Sequence, residues 1–246
     1  MPLPSQRADI FLVEHGYAKS RAEAQEAIEA GKVFDGGRRV IKSSQRLNET
    51  SRIKYEPAHP FVSRGALKLI AALNRFEFSP HGLICLDLGA STGGFTEVLL
   101  MRGAKKVFAV DIGHGQLDAK LAKDPRVISL EHVNARDLSS TQITLKPQTI
   151  VADVSFISMK LALPPALAMA EPGAWLIALV KPQFEVGKKN IGKGGIVKDE
   201  TAQQAALDEI ADWLLREQGW TIAGTMESPI TGGDGNREFL IAAQKP

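Results

Sequence analysis

The sequence predicts an α/β protein: a mostly parallel, seven-stranded sheet covered by helices, preceded by a small α+β module. Three observations carry this. From residue 83 onward, short apolar runs alternate with stretches of helical periodicity, the pattern of a parallel sheet with helices on both faces. The stretch Cys85-Leu-Asp-Leu-Gly-Ala-Ser-Thr-Gly-Gly-Phe-Thr-Glu-Val-Leu-Leu100 reads as a buried strand, a glycine turn and the start of a helix. Glu56-Pro-Ala-His-Pro-Phe61 reads as a linker, because its two prolines interrupt helical continuation. The expected division is therefore 1–60 and 61–246.

In the first module, Arg7 to Tyr17 suits a helix with Ile10, Val13 and Phe11 inward, closed near Gly16. Ser20 and Glu23 form a capping-box pattern for a second helix, with Ala24, Ala27 and Ile28 on its inner face and Gly31 at its end. Lys32-Val-Phe, the turn Asp35-Gly-Gly37 and Arg38 to Lys42 make a hairpin, and Arg52 to Tyr55 adds a strand. Residues 1–60 hold 10 Lys and Arg against 8 Asp and Glu; the rest is balanced at 20 each, from totals of 30 and 28. The whole excess of +2 therefore sits in the first module; it is too small to announce nucleic acid by itself, and a solvated face explains it equally well.

After the linker, a helix begins beyond Ser63, with Leu67, Leu69, Ile70, Leu73 and Phe76 on its apolar face. Lys68 lies off that face and, on this segment alone, reads as an ordinary exposed lysine. The strand 83–88 then runs into the turn 89–94. Such a unit places a nucleotide-like ligand beyond the strand's carboxyl end. A dinucleotide fingerprint needs Gly-x-Gly-x-x-Gly, but Ser91 stands at the middle glycine, and no Gly-Lys-Ser/Thr of a phosphate-binding loop is present. Asp87 would repel a pyrophosphate and suits an ammonium instead. Asp111 ends the next strand, Val107 to Asp111, where an acid holds ribose hydroxyls. Ribose without phosphate, together with an amino acid, describes S-adenosylmethionine (SAM). The glycines alone could serve packing only; the two acids together favour the cofactor. Its expected contacts are Asp87, Gly89, Ser91, Thr92, Gly93, Gly94, Phe95 and Asp111, giving a Rossmann-like, SAM-dependent methyltransferase fold.

Arg126 to Leu130 is the third strand. Asp137 beyond it could read the adenine edge or cap a turn. Thr149 to Asp153 is the fourth strand, Trp175 to Val180 the fifth, and Trp220 to Thr225 and Glu238 to Ala242 the last two. Ile157 to Met169 is helical in part despite Pro164 and Pro165, and a long helix starts at Thr201. The final two strands have no helix between them, which suggests one antiparallel edge strand. The loop 185–198 is rich in glycine and lysine; Lys188, Lys189 and Lys193 could meet RNA phosphates or simply be solvated.

The single cysteine, Cys85, excludes an internal disulfide framework and reads as core. No 18-residue apolar run exists, and Met1 is followed by a polar start, so neither a membrane span nor a signal region is expected. The expected location is the cytoplasm.

Long motifs now line up in order. Phe11-Leu-Val-Glu-His-Gly16, Ser20-Arg-Ala-Glu23 and Ala27-Ile-Glu-Ala-Gly31 resemble the RNA-binding domain named after ribosomal protein S-four. Val62-Ser-Arg-Gly-Ala-Leu-Lys-Leu69, Asp87 to Leu100, Val110 to Leu117, Asp153-Val-Ser-Phe-Ile-Ser158, Val180-Lys-Pro-Gln-Phe-Glu185, Ile191 to Val197 and Gly235-Asn-Arg-Glu-Phe-Leu240 resemble the TlyA family. Its members join that domain to an FtsJ-like ribosomal RNA 2′-O-methyltransferase domain, and many carry the label hemolysin. Ala66 stands where a second glycine is common, and His114 where a tyrosine is common.

The resemblance implies a Lys-Asp-Lys-Glu set for 2′-O-methyl transfer, falling on Lys68, Asp153, Lys181 and Glu238, with Asp153 also at the cofactor and Lys181 as candidate base. It implies SAM as cofactor, no metal, and ribosomal RNA or a ribosomal subunit as partner. It also implies RNA contacts at Arg7, Lys19, Arg21, Lys32, Arg38 and Arg39, which would bind phosphates by charge. Two alternatives stand beside it: a membrane-active hemolysin, against which the lack of an apolar run argues, and a noncatalytic RNA-binding assembly factor, against which the retained four residues argue.

Overall fold

A computed structural model describes residues 5–246. The chain divides into two compact units, one running through Pro60 and the other from Phe61 to Pro246.

In the first unit β1 (Gln6–Arg7) leads into α1 (Ala8–Glu14), α2 (Arg21–Glu29), β2 (Val33–Asp35), β3 (Arg38–Arg39), β4 (Arg46–Leu47) and β5 (Ile53–Tyr55). Ser20 caps α2, its side chain accepting from the Glu23 N–H at 3.2 Å. Glu23 reaches back one residue further than the usual box, to the Lys19 N–H at 2.9 Å. Phe11, Leu12, Ala24, Ala27, Ile28, Val33, Val40 and Leu47 close a small core. The β2–β3 hairpin is much shorter than the apolar content of residues 38–42 suggests. Only Val40 of that run turns inward, while Ile41 stays 69% exposed.

The second unit runs α3 (Gly65–Phe76), β6 (Ile84–Leu88), α4 (Gly94–Met101), β7 (Lys106–Val110), α5 (Ala119–Ala122), β8 (Val127–Leu130), β9 (Thr149–Ala152), α6 (Met159–Ala162), α7 (Pro164–Met169), β10 (Trp175–Val180), α8 (Pro182–Glu185), α9 (Glu200–Arg216), β11 (Thr221–Glu227) and β12 (Phe239–Gln244). The seven strands lie in the order β11-β12-β10-β9-β6-β7-β8. Alternate residues feed two cores. Leu86, Leu88, Phe108, Ile150, Leu176 and Ile241 face α6, α7 and α9; Cys85, Val107, Val151, Ile177, Leu179 and Leu240 face α3 and α4.

One expectation is corrected. The antiparallel strand is β12, and it lies inside the sheet, pairing antiparallel with β10 on one side and β11 on the other. Burial explains this placement. Phe239 to Ala243 are all buried, as an interior strand requires, whereas β11 alternates exposed and half-buried residues, as an edge does. Strand order reverses at β6, flanked by β7 and β9, and a crevice opens at such a point beyond the carboxyl ends of the strands. Because β12 runs backwards, its first residues arrive at that same edge.

Candidate active site

The turn between β6 and α4 is shaped by close approach. Gly89 has φ +77°, and a Cβ there would come within 2.5 Å of the Asp153 carbonyl oxygen. Any side chain would thus push β6 away from the end of β9. Gly93 has φ +100° and sits just before the first turn of α4; a Cβ there would meet Leu121 and Leu117. Ser91 takes φ +48° and is exposed, as is Thr92, so the turn presents its backbone and these two side chains outward. Gly94 is buried, and Phe95 packs into the α3–α4 core at 3% exposure. Phe95 can therefore offer a ligand only its backbone.

Asp87 lies beneath this turn with no exposed surface. Its Oδ2 accepts from the Thr96 hydroxyl at 2.6 Å, and its Oδ1 is buried without a hydrogen-bond partner. Burial pushes its pKa up to about 7; Thr96 opposes that shift, while the charges of Asp153 and Asp111 add to it. Asp111 is engaged with backbone: Oδ2 accepts from the Ser91 N–H at 2.8 Å and Oδ1 from the Gly113 N–H at 2.6 Å. It ties the first turn to the second and keeps lone pairs to spare. Asp137 is exposed in a single 3₁₀ turn, 135–137, that Asn134 caps. These features fit a SAM-sized group: a glycine cradle, a buried acceptor with nothing on it, and an acid at the second strand end.

Beside the turn lie two ion pairs. Lys68 Nζ donates to Glu238 Oε2 at 2.5 Å, and Lys181 Nζ lies 2.6 Å from Asp153 Oδ1. Lys181 also donates to the Ser155 hydroxyl at 2.7 Å. The pairs adjoin. The β10–β12 register ends at Val180 opposite Phe239, so Lys181 and Glu238 are the next residues on neighbouring strands. Gly65, one turn before Lys68 on α3, sits so that a Cβ would meet Asp153 Oδ2 at 3.8 Å. Lys68, Lys181 and Glu238 are buried and Asp153 is half-buried. The reading of Lys68 as an exposed lysine is thus replaced by a buried one. Helical periodicity shows only that a residue lies off the main apolar face, not what another part of the chain places over it.

Several residues that support these pairs carried no signal of their own. Asn236 is 1% exposed and spends its whole amide on tethering. Its Oδ1 accepts from the Val197 N–H at 2.9 Å, and its Nδ2 donates to the Gly195 carbonyl at 3.0 Å and to Asp234 Oδ2 at 2.8 Å. The glycine-lysine loop is therefore fastened at its end to the segment that delivers Glu238. Gln183 donates weakly to Asp234 at 3.4 Å, and Glu185 accepts from Ser158 and the Met159 N–H, bracing the loop after β9.

Of the expected RNA contacts, Arg7 and Arg21 both bind Asp9, Lys32 lies 3.6 Å from Glu56, and Arg39 donates to the Glu29 carbonyl at the end of α2. Lys19 is exposed and partnered; Arg38, Lys189 and Lys193 are exposed. The Lys188 side chain lies outside the described residues. Among the described residues, no group of three or more His, Cys, Asp or Glu is placed to hold a metal ion.

Comparison with known proteins follows the same division. The model of the FtsJ-like methyltransferase family matches residues 61–245, and that of the S-four domain matches residues 6–53. The 16S/23S rRNA (cytidine-2′-O)-methyltransferase TlyA of Mycobacterium tuberculosis is 44% identical over 96% of this chain and 88% of its own. Hemolysin A of Brachyspira hyodysenteriae is 40% identical over 95% of this chain and 98% of its own. A solved structure from Streptococcus thermophilus superposes with a TM-score of 0.79 at 38% identity, over 99% of this chain and 89% of that one. With a Lys-Asp-Lys-Glu set beside the glycine turn and a family match across three quarters of its length, this chain belongs to the FtsJ-like methyltransferase family.

Proposed function

We propose that this protein methylates a ribose 2′-hydroxyl of ribosomal RNA, acting in the cytoplasm. The observation that carries the reading is the pair of adjoining ion pairs, Lys68–Glu238 and Lys181–Asp153, at the mouth of the glycine turn. Asp111 and the backbone of residues 89–94 hold SAM, with Asp87 beneath as a buried acceptor and Asp137 at the adenine end. SAM, when bound there, supplies a methyl group that is already electrophilic, so the protein's task is to deprotonate and aim the ribose oxygen.

Lys181, once its ammonium has released a proton to solvent, takes the hydroxyl proton as a neutral amine and becomes again the ammonium that pairs with Asp153. Asp153 and Ser155 fix its Nζ from two sides, which leaves one direction for the substrate. Lys68, held by Glu238, orients the same hydroxyl and keeps a cation beside the oxygen as it loses its proton. General-base assistance of this kind is worth about 10²–10⁴ in rate. The exposed basic residues of the first unit contact RNA phosphates, which position a substrate without reading its sequence. Relatives named for ribosomal RNA 2′-O-methylation support this substrate class. The membrane-active alternative rests on the names of relatives alone; among the described residues no helix is long and apolar enough to cross a membrane.

The deciding experiment is methyl incorporation from tritiated SAM into ribosomes and subunits of a strain lacking the protein, with the product nucleoside identified. A 2′-O-methylnucleoside in ribosomal RNA is expected. A base-methylated product, or hemolysis with no incorporation, would overturn the reading.

A further inference from the structure

The two lysines of the site differ in how each is joined to solvent. Lys68 and its partner Glu238 are both buried, with side chains 7% and 3% exposed. The bond from Lys68 ends on Glu238 Oε2 and goes no further outward. Lys181 is enclosed to a similar degree, at 10%. Its Nζ, however, makes two contacts of different kinds. Asp153 Oδ1 lies 2.6 Å away as an ion pair without hydrogen-bond alignment, and that oxygen is itself buried. The aligned bond runs to the Ser155 hydroxyl at 2.7 Å.

Ser155 reaches the surface. It lies just past the end of β9, beyond Asp153, and is exposed where Lys181 is not. A hydroxyl accepts with its lone pairs and donates its own proton. Here the Lys181 Nζ occupies a lone pair of Oγ. Among the described residues Oγ has no acceptor for its own proton, which is therefore left for water. An aligned hydrogen bond is the path along which a proton moves, and this one leads from a buried ammonium to an exposed hydroxyl.

We propose that Ser155 is the proton exit of Lys181: its hydroxyl passes the ammonium's proton to solvent, and so makes Lys181, not Lys68, the lysine able to act as a base. This deepens the ribose-methylation reading and rests on it. In the step an Nζ–H bond breaks as an Oγ–H bond forms, and the original Oγ–H bond breaks to give its proton to water. Lys181 is left a neutral amine, Ser155 is again a neutral hydroxyl, and the hydronium leaves for the bulk. Direct transfer to Asp153 would instead put the proton on a buried oxygen and dissolve the ion pair. Once a ribose covers the open side of Nζ, the serine is the path that remains, so the amine can be readied with substrate in place. Ser155 acts through Lys181 and is a positioning residue: it fixes where the proton goes.

The test reads the proton path itself. Exchange of lysine Nζ protons with water is measured by NMR on the full-length protein labelled with nitrogen-15 at lysine, at fixed pH. Lys181→Arg and Lys68→Arg assign the two signals. In the wild type the Lys181 protons should exchange faster than those of Lys68, although the two lysines are similarly buried. Ser155→Ala should slow Lys181 about tenfold, less than the 10²–10⁴ of a full acid–base step because water still reaches Nζ from the substrate's side. Lys68 should not change. Ser155→Thr, which keeps a hydroxyl, should restore the wild-type rate. A serine that only braced the lysine would, when removed, loosen it and speed exchange, so the sign separates the two roles. Unchanged or faster exchange at Lys181 in Ser155→Ala overturns the proposal, as does failure of Ser155→Thr to restore it. Ser155 is exposed, so its removal spares the core, which thermal unfolding of each variant records. The measurement needs no RNA: failure of the tritium assay removes the ribose reading, whereas failure here removes the exit alone.

Discussion

Lys68 and Glu238 are 170 residues apart in sequence, yet their side chains meet at 2.5 Å, both buried. Removing one member leaves a buried charge unpaired, which costs about 3–5 kcal/mol. Glu238→Ala and Lys68→Ala should each destabilise the protein by that order in urea unfolding. The double variant Lys68→Met with Glu238→Leu should regain most of it, while methyl transfer stays lost. Recovery of both stability and transfer would show that the pair serves packing only.

Lys181 tests the chemistry separately. Lys181→Ala should keep SAM affinity and RNA binding and lose methyl transfer by about 10²–10⁴ in single-turnover rate. Normal turnover would return this lysine to a structural role.

Asp87 gives a pH signature. Its folded pKa, pushed up to about 7 by burial, lies above the value an unfolded aspartate has. Between roughly pH 4 and pH 7 the native state therefore holds the proton more tightly than the unfolded chain. The contribution from Asp87 is favourable in acid and is lost as pH rises through about 7. Asp87→Asn, neutral throughout, should be more stable than wild type at pH 8, by on the order of 2–4 kcal/mol, with the difference shrinking toward pH 5. Urea unfolding at the two pH values measures it, and a difference independent of pH would be the contrary result.

Asn236→Asp replaces the amide donor that faces the Gly195 carbonyl and the Asp234 carboxylate with a second acceptor. The glycine-lysine loop should come loose, so trypsin should cleave after Lys193 and Lys198 faster than in wild type. Methyl transfer should fall about tenfold, as expected when a buried polar group loses its partner. Unchanged proteolysis would place the loop's anchorage elsewhere.

Much of this was legible in the chain. The seven strands could be found because each is short, apolar and followed by a turn or helix. The glycine turn could be found because Gly89 and Gly93 occupy backbone geometry that other residues avoid. Strand order was less legible. The hydrophobic content of 239–243 says that β12 is buried, but an apolar run does not name its neighbours. The polar supports were hardest. Asp9 looks like an ordinary surface residue in sequence, while Asn236 and Gln183 stand inside family motifs that do not say what they hold; only the three-dimensional fold shows it. Asp9 left one trace: it sits between Ala8 and Leu12 on the inward side of a helix, where an acid needs a partner.

The position of β12 has a consequence for how the enzyme comes into being. During synthesis this strand emerges after every other strand of its sheet. Until it arrives, β10 has an open side and β11 has nothing to join, since β11 pairs with β12 alone. The hairpin must therefore dock late, through contacts remote in sequence, which is the slow kind of folding step. Glu238 travels on that hairpin, so Lys68 gains its partner only when the sheet is whole. A nascent chain can shape the cofactor turn early, yet it cannot assemble the four-residue set until its last strand is home.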